Sequence, residues 1–455
     1  MTEKVSARTK FFYGVGDWGI SMLTASIQFF LLFFLTDVAH INPGIAGTAL
    51  MVGKLTWDAI NDPLLGSWSD RTKSRWGRRR PYMIFGALPL ALATWLLFSI
   101  PKGLEGSAAF LVVLFVFLIF DTMHTLVSVP YQALSAELTY DYNERTSLIS
   151  IRMIFTVIGY LFGSAATMAI AGAFIGAGWN ESASFSAMGA IFGIIAGATT
   201  LVTGLFVREN DRALEQKVKT PIMKGILATL KNKPFIKLLI PSVIVSISFS
   251  LLTSLLPYYL KYYLKMEAST TMVMLVMMLT IAVFLIPYRK LSERINKGPA
   301  YALGLFIASV SIIGAFFLPP EPTFLIYLVA FGAGLGFSAQ WVFPWSMIPD
   351  VVEYGEWDTG ERHEGVYYGV LAFMGKFTGA LGIAMSGWAL ELYGYIPDVE
   401  QTTRALFGMK FWFSPVPVIA FLASLPFLIR YPITQQKHAG LVAELAERKK
   451  MASAD

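Results

Sequence analysis

The 455-residue chain has no cysteine and only four histidines. Disulfides, thiolate metal sites and cysteine nucleophiles are therefore excluded, and a His-rich metal centre has few residues to draw on. Charge is also scarce: Asp, Glu, Lys and Arg make up 15% of the chain, where a water-soluble domain carries about 25%. The ten-residue alternation of a membrane barrel is missing as well. What is present is 55% apolar and 14% aromatic residues, arranged in runs of about 20 that recur from end to end, the length a helix needs to cross the hydrocarbon core. A soluble enzyme is nearly excluded, and no P-loop, GxSxG or His-rich metal motif revives the idea.

Twelve such runs are expected to be spanning helices, at 12–38, 44–68, 82–101, 107–134, 147–174, 184–207, 235–260, 270–287, 299–318, 323–348, 364–394 and 408–430. The first is too long for a signal-peptide core and lacks a small-residue cleavage pattern, so it reads as a span. Lys and Arg resist translocation. Of the 36, the N-terminus, the even-to-odd loops and the tail hold 26, against 4 in the opposite loops, with six inside the spans. Both termini are thereby expected to be cytoplasmic, and the formal charge of +6 needs no nucleic acid to explain it. The basic loop DRTKSRWGRRR sets topology and meets anionic headgroups.

The charged segment 208–234 halves the chain. Within it Ile222, Met223, Ile226, Leu227 and Leu230 share a helical face opposite Lys224, Lys231 and Lys233, as in a helix lying in the headgroup region; a solvated connector is the competing reading. Two loops of the first half are echoed six helices later. LLGSWSDRTKSRWGRRRPY corresponds to IPYRKLSERINKGPAY, and PYQALSAELTYDYNERTSLISIR to PWSMIPDVVEYGEWDTGERHEGVYYG. Paired echoes at matching positions imply a duplicated half. The expected fold is an all-α membrane protein of twelve helices in two pseudo-symmetric bundles, 1–207 and 235–430, with a tail at 431–455.

Ionisable residues inside spans are the best functional evidence, because each costs at least about 2.5 kcal/mol near the bilayer centre unless it meets a partner or water. In GKLTWDAINDPLLG, Lys54, Asp58 and Asp62 follow at helical spacing on one face. Carboxylates one turn apart invite a cation or a shared proton, and Pro63 frees a carbonyl that can join them. Alternatively, Lys54 serves only to neutralise Asp58 for insertion. Asp17, Asp121, His124, Thr125, Ser128, Arg152 and Lys376 are further polar groups in spans. Arg152 is placed to snorkel or to touch solute, and Asp17 to anchor its helix. Lys376 lies deep in the eleventh span, where it requires a carboxylate or a ligand. Aromatics such as Trp57, Tyr131, Trp341 and Trp345 stand near these groups, and a pyranose offers apolar faces to such rings.

Taken together, WDAINDPLLGSWSDRTKSRWGRRRPY, VPYQALSAELTYDYNERTSLISIR and PDVVEYGEWDTGERHEGVYYGV with the following Lys376 resemble the glycoside-pentoside-hexuronide:cation symporters of the major facilitator superfamily. The resemblance covers both halves, from YGVGDWG to the eleventh helix. It implies alternating access by two six-helix bundles around a central site, in a bacterial inner membrane, with H⁺ or Na⁺ as coupling ion and no other cofactor. It further implies that Asp58 and Asp62, with Thr125 and with Lys54 beside them, form the cation site, and that Arg152, Trp345 and Lys376 belong to the sugar and charge network, with Asp17 nearby. Acidic residues that grip the sugar in the family's melibiose carrier are Ser21 and Ser128 here, and an aromatic is Gln132. Losing two negative charges while keeping Arg152 and Lys376 points to an anionic sugar, a hexuronide or a sulfonated sugar. A lysolipid carrier of the same superfamily is the rival expectation, and the protein is expected to act as a monomer. Asp70 and Arg71 with Glu137 and Arg145, and Glu353 with Arg362 in the second half, are expected to form salt bridges that gate the cytoplasmic side.

Overall fold

In the computed structural model, residues 5–139, 142–209, 229–360 and 364–452 are described; the side chains of Asp70 and Arg145 lie outside that description, as do Arg362 and the stretch expected as an interfacial helix, apart from its last residue Leu230 and Lys231 and Lys233. Among the described residues there is no β-strand. The helices are α1 (Ala7–Ser26, continuing through π-helical turns Ile27–Leu31 and Phe34–Val38), α2 (Pro43–Arg71), α3 (Arg80–Leu97), α4 (Gly106–Leu138), α5 (Tyr142–Gly176) and α6 (Glu181–Phe206). There follow α7 (Lys233–Tyr258, with the π turn Tyr259–Tyr263), α8 (Thr270–Ile295), α9 (Lys297–Phe316), α10 (Leu325–Thr359), α11 (Glu364–Leu392) and α12, in two pieces Thr403–Phe413 and Pro415–Ile429. A further helix, α13 (Gln435–Ala452), occupies the tail.

Ten of these segments are long and apolar enough to cross a membrane. The other two, α1 and α2, hold Asp17 and the Lys54, Asp58 and Asp62 series among their apolar residues, and they bring the span-length segments among the described residues to the twelve expected. On α3, Phe85, Leu88 and Leu92 are more than half exposed, as on the outer face of a helix that meets lipid. Local chemistry sets the starts: the Asn42 and Asn180 side chains accept the backbone N–H of Ile45 and Ala183, which satisfies donors a helix N-terminus leaves over. α10 runs eleven residues beyond the expected end of its span, through Pro349, because Asp350, Val351, Val352 and Gly355 are buried along it. It stops at Gly360, whose φ of 76° suits a residue without a side chain.

The chain forms two compact units, one of residues 1–216, 253–275 and 383–409, the other of 217–252, 276–382 and 410–455. In the first, α1 packs on α5 and α3 on α6. A Cβ at Gly163 would collide with the Met22 carbonyl, and one at Gly193 with the Ala91 carbonyl. Both helix pairs are thus joined by the small-residue seams that let backbones approach within a bilayer.

The π turns that end α1 and α7 carry one charge cluster. Asp37 is 1% exposed and accepts from Lys261 (3.1 Å), Tyr262 (2.5 Å), Tyr395 (2.6 Å) and Thr36 (2.8 Å). Lys261 also meets Asp398 at 2.9 Å, and Thr36 shares a 2.6 Å bond with Tyr258. Burial, then the Asp37 charge, pushes the Tyr395 phenol well above its ordinary value, so it stays a donor. Tyr395→Phe removes one charge-assisted bond from a buried carboxylate and is expected to cost about 1.5–3 kcal/mol. Thermal unfolding in detergent checks this; an unchanged midpoint would show that the bond carries no net stability.

Candidate functional site

In the first unit α2 lies against α4. Helical spacing brings Lys54 and Asp58 onto the face that meets Asp121, and Lys54 Nζ lies 3.2 Å from Asp58 Oδ2 and 2.7 Å from Asp121 Oδ1. Both carboxylates are buried, Asp58 at 6% and Asp121 at 1% exposure. The ammonium also sits 6.0 Å from the centre of the Phe117 ring, a cation–π contact. Beside them Trp57 Nε1 donates to Thr122 at 2.8 Å, and Thr125, one turn beyond Asp121, is 2% exposed. Asp62 is half-buried one turn along α2, and the His124 ring stacks on Phe120. With Lys54, Asp58 and Asp121 all ionised the trio has a net charge of −1, so one further monovalent cation neutralises it.

A second cluster joins α1, α4 and α5. Arg152 Nε is 3.3 Å from Asp17 Oδ1, and the guanidinium lies 5.5 Å from the Tyr131 ring centre. Asp17 also accepts from Thr156 and, at 3.4 Å, from Ser21. Tyr131 stacks on Tyr13 at 4.8 Å and donates to its carbonyl at 2.8 Å. The geometry therefore gathers Asp17, Ser21 and Arg152. Ser128 is buried on α4 and Gln132 is exposed. Arg152 faces a carboxylate, so its charge is offset where the sequence reading counted it as surplus.

In the second unit a cavity is lined by Ser242 and Ser246 of α7, Gln340, Pro344 and Trp345 of α10, and Leu371, Met374, Gly375 and Thr378 of α11. Trp345 is 53% exposed. Lys376, half-buried, stands between Gly375 and Thr378 in the sequence. Gln340 donates to Ser246 at 3.3 Å and accepts from Tyr301, which orients its amide. Hydroxyl and amide groups beside an indole face suit a ligand with a polar rim and apolar faces.

Among the described residues expected as gates, Glu137 and Glu353 each meet a partner the sequence reading did not name. In the first unit Glu137 accepts from Arg78 at 2.9 Å and from Arg79, while Arg71 is exposed. Glu209 accepts the backbone N–H groups of Arg78, Arg79 and Arg80 at 2.6, 2.8 and 2.9 Å, so the start of α3 is capped by the second residue of the linker. In the second unit Glu353 pairs with His438 of α13 at 2.5 Å, and Asp350 with Lys297 at 2.7 Å.

Sequence reasoning missed Thr156, Ser242, Ser246, Gln340, Glu209 and the Asp37 cluster as site or structural residues. The uncharged ones leave no trace in a search for charges. Asp37 and Lys261 did carry a signal, since both sit at the ends of spans six helices apart.

Residues 12–435 match the MFS/sugar transport protein family. The uncharacterised symporter YnaJ of Bacillus subtilis (strain 168) is 30% identical over 99% of this chain and 96% of its own length. The isoprimeverose transporter of Lactiplantibacillus pentosus is 25% identical, covering 94% and 91%. The sodium-dependent lysophosphatidylcholine symporter 1-A of Danio rerio is 26% identical, covering 94% and 86%. With its multi-pass helical fold and its charges buried within spans, the chain belongs to the MFS/sugar transport protein family.

Proposed function

We propose that the protein is a cation-coupled symporter of a sugar or glycoside, working by alternating access in a bacterial inner membrane with both termini cytoplasmic. The observation that carries the solute class is the second unit's cavity, where Ser242, Ser246, Gln340 and Thr378 stand beside Trp345. Hydroxyl and amide groups can exchange hydrogen bonds with sugar hydroxyls, and the indole can cover a pyranose face. Within the first unit, Arg152 and Asp17 form a charged pair of their own to which hydroxyls can bond. The Lys54, Asp58 and Asp121 trio, with Asp62 and Thr125 beside it, supplies the cation site. Reciprocal linkage then makes ion and solute raise each other's affinity. Arg71, Asp70, Glu137, Arg145, Glu353 and Arg362 are assigned to the cytoplasmic gate, and the sequence halves 1–207 and 235–430 to the two moving bundles, in a monomer.

Because Arg152 is paired with Asp17, its charge is not surplus, and the choice between an anionic and a neutral sugar is left to competition. The second reading, an amphiphile carrier, is favoured by the lysophosphatidylcholine symporter among the relatives. Uptake into sealed vesicles, with a neutral hexoside, its carboxylated and sulfonated analogues and a lysophospholipid as competitors, separates them. Sugars are expected to compete and the lysophospholipid not to. Competition by the lysophospholipid alone would overturn the sugar assignment, and preference for the neutral hexoside would remove the anionic one.

A further inference from the structure

A metal cation coupled through the α2 carboxylates must lie among their oxygens, and the trio's geometry is at odds with that at Asp58 and Asp121. The position between those two carboxylates is taken by a side chain. Lys54 Nζ stands 2.7 Å from Asp121 and 3.2 Å from Asp58, both hydrogen-bonding distances for an ammonium that has three donors and no lone pair to offer. The seam leaves little slack: a Cβ on Gly53 would come within 2.9 Å of Phe117, the ring that also flanks the ammonium. Among the described residues no three His, Asp or Glu groups converge to hold a metal ion.

We infer that Lys54 is the resident cation of the Asp58–Asp121 site and that it closes this site to alkali-metal ions. The inference deepens the symport reading by assigning a residue that decides which ion the protein accepts. Two features make the tethered ammonium a strong competitor. It is covalently held one helical turn from Asp58, so it acts at the high effective concentration of an intramolecular partner. It also adds a fixed positive charge, so a sodium ion entering between the carboxylates would sit against a like charge in a poorly screening environment. Shortening the side chain removes both the competitor and the repulsion while leaving two buried carboxylates facing each other across the α2–α4 seam. Such a pair attracts a compact monovalent cation.

The test is Na⁺ and Li⁺ binding to the purified full-length protein without solute, by calorimetry and by thermal shift, against choline at constant ionic strength. The native protein is expected to show no alkali-specific response. Lys54→Ala and Lys54→Gln are expected to acquire saturable Na⁺ binding, at least about tenfold tighter than any native response, a difference of about 1.4 kcal/mol. Should these variants fail to fold, Lys54→Ala combined with Asp121→Asn restores the trio's net charge of −1 and is read in the same way. Saturable Na⁺ binding of equal affinity in native and variant proteins would overturn the inference, and so would a folded Lys54 variant with no gain. Because no solute is present, these outcomes are independent of the sugar assignment, whose failure would appear instead as loss of competition in vesicles.

Discussion

Asp58→Asn is expected to abolish ion-driven accumulation of solute while folded protein persists in the membrane. Asparagine keeps the shape of the side chain, and Lys54 keeps its 2.7 Å contact with Asp121, so the α2–α4 seam retains an ion pair. The trio's charge, however, rises from −1 to zero, and no further cation is needed to neutralise it. The coupling that links ion and solute, typically about 1–3 kcal/mol or roughly 5–150-fold in affinity, is then lost. Solute counterflow, which needs no ion gradient, separates this from misfolding: the variant is expected to exchange solute but not to concentrate it. Accumulation at the native level would show that Asp58 has no part in coupling.

The second large effect concerns Asp17 and Arg152. Asp17 is 2% exposed on a spanning helix, and Arg152 is its cationic partner at 3.3 Å. Arg152→Gln strands that carboxylate, and breaking a buried pair from one side costs about 3–5 kcal/mol. Unfolding midpoints and membrane yield should fall accordingly. Combining Arg152→Gln with Asp17→Asn removes both charges and leaves Thr156 and Ser21 to bond the new amide, so stability is expected to return. Solute binding is not expected to return, because the charged groups offered to solute hydroxyls have gone. Equal stability of the single variant and the native protein would contradict a structural role for the pair, while full transport by the double variant would remove it from the solute site.

These expectations show which parts of the molecule hydropathy makes legible. The length and spacing of the apolar runs mark out the twelve helices, since a bilayer leaves a backbone few other ways to satisfy its hydrogen bonds. The α2 charges are conspicuous against that background, and the helical period alone places Lys54 and Asp58 on one face. What a one-dimensional pattern does not show is which helix that face meets. Asp121 looked like one of several polar residues in the fourth span until the α2–α4 packing set it against Lys54, and Arg152 looked like surplus charge until Asp17 met it. Polar but uncharged residues were hidden for a related reason. Ser242 and Ser246 cost little in an apolar run and Gln340 carries no charge to mark it, so only their gathering in a cavity gives them meaning. The Asp37 cluster draws on span ends far apart in sequence, where a charge reads as ordinary interfacial dressing. The tail helix α13 was hidden by its polarity, and the pairing of His438 with Glu353 is what ties it to α10.

The central claim, that solute and a cation travel together through a site built on Asp58, is met most directly by following the ion while the solute drives. Sealed vesicles holding the purified protein, with no ion gradient imposed, receive a sugar gradient, and internal pH and Na⁺ are recorded together. The account predicts that an ion enters with the sugar, and that Asp58→Asn lets sugar equilibrate with no accompanying ion. Sugar entry without ion movement in the native protein, or ion movement that Asp58→Asn leaves intact, would contradict it.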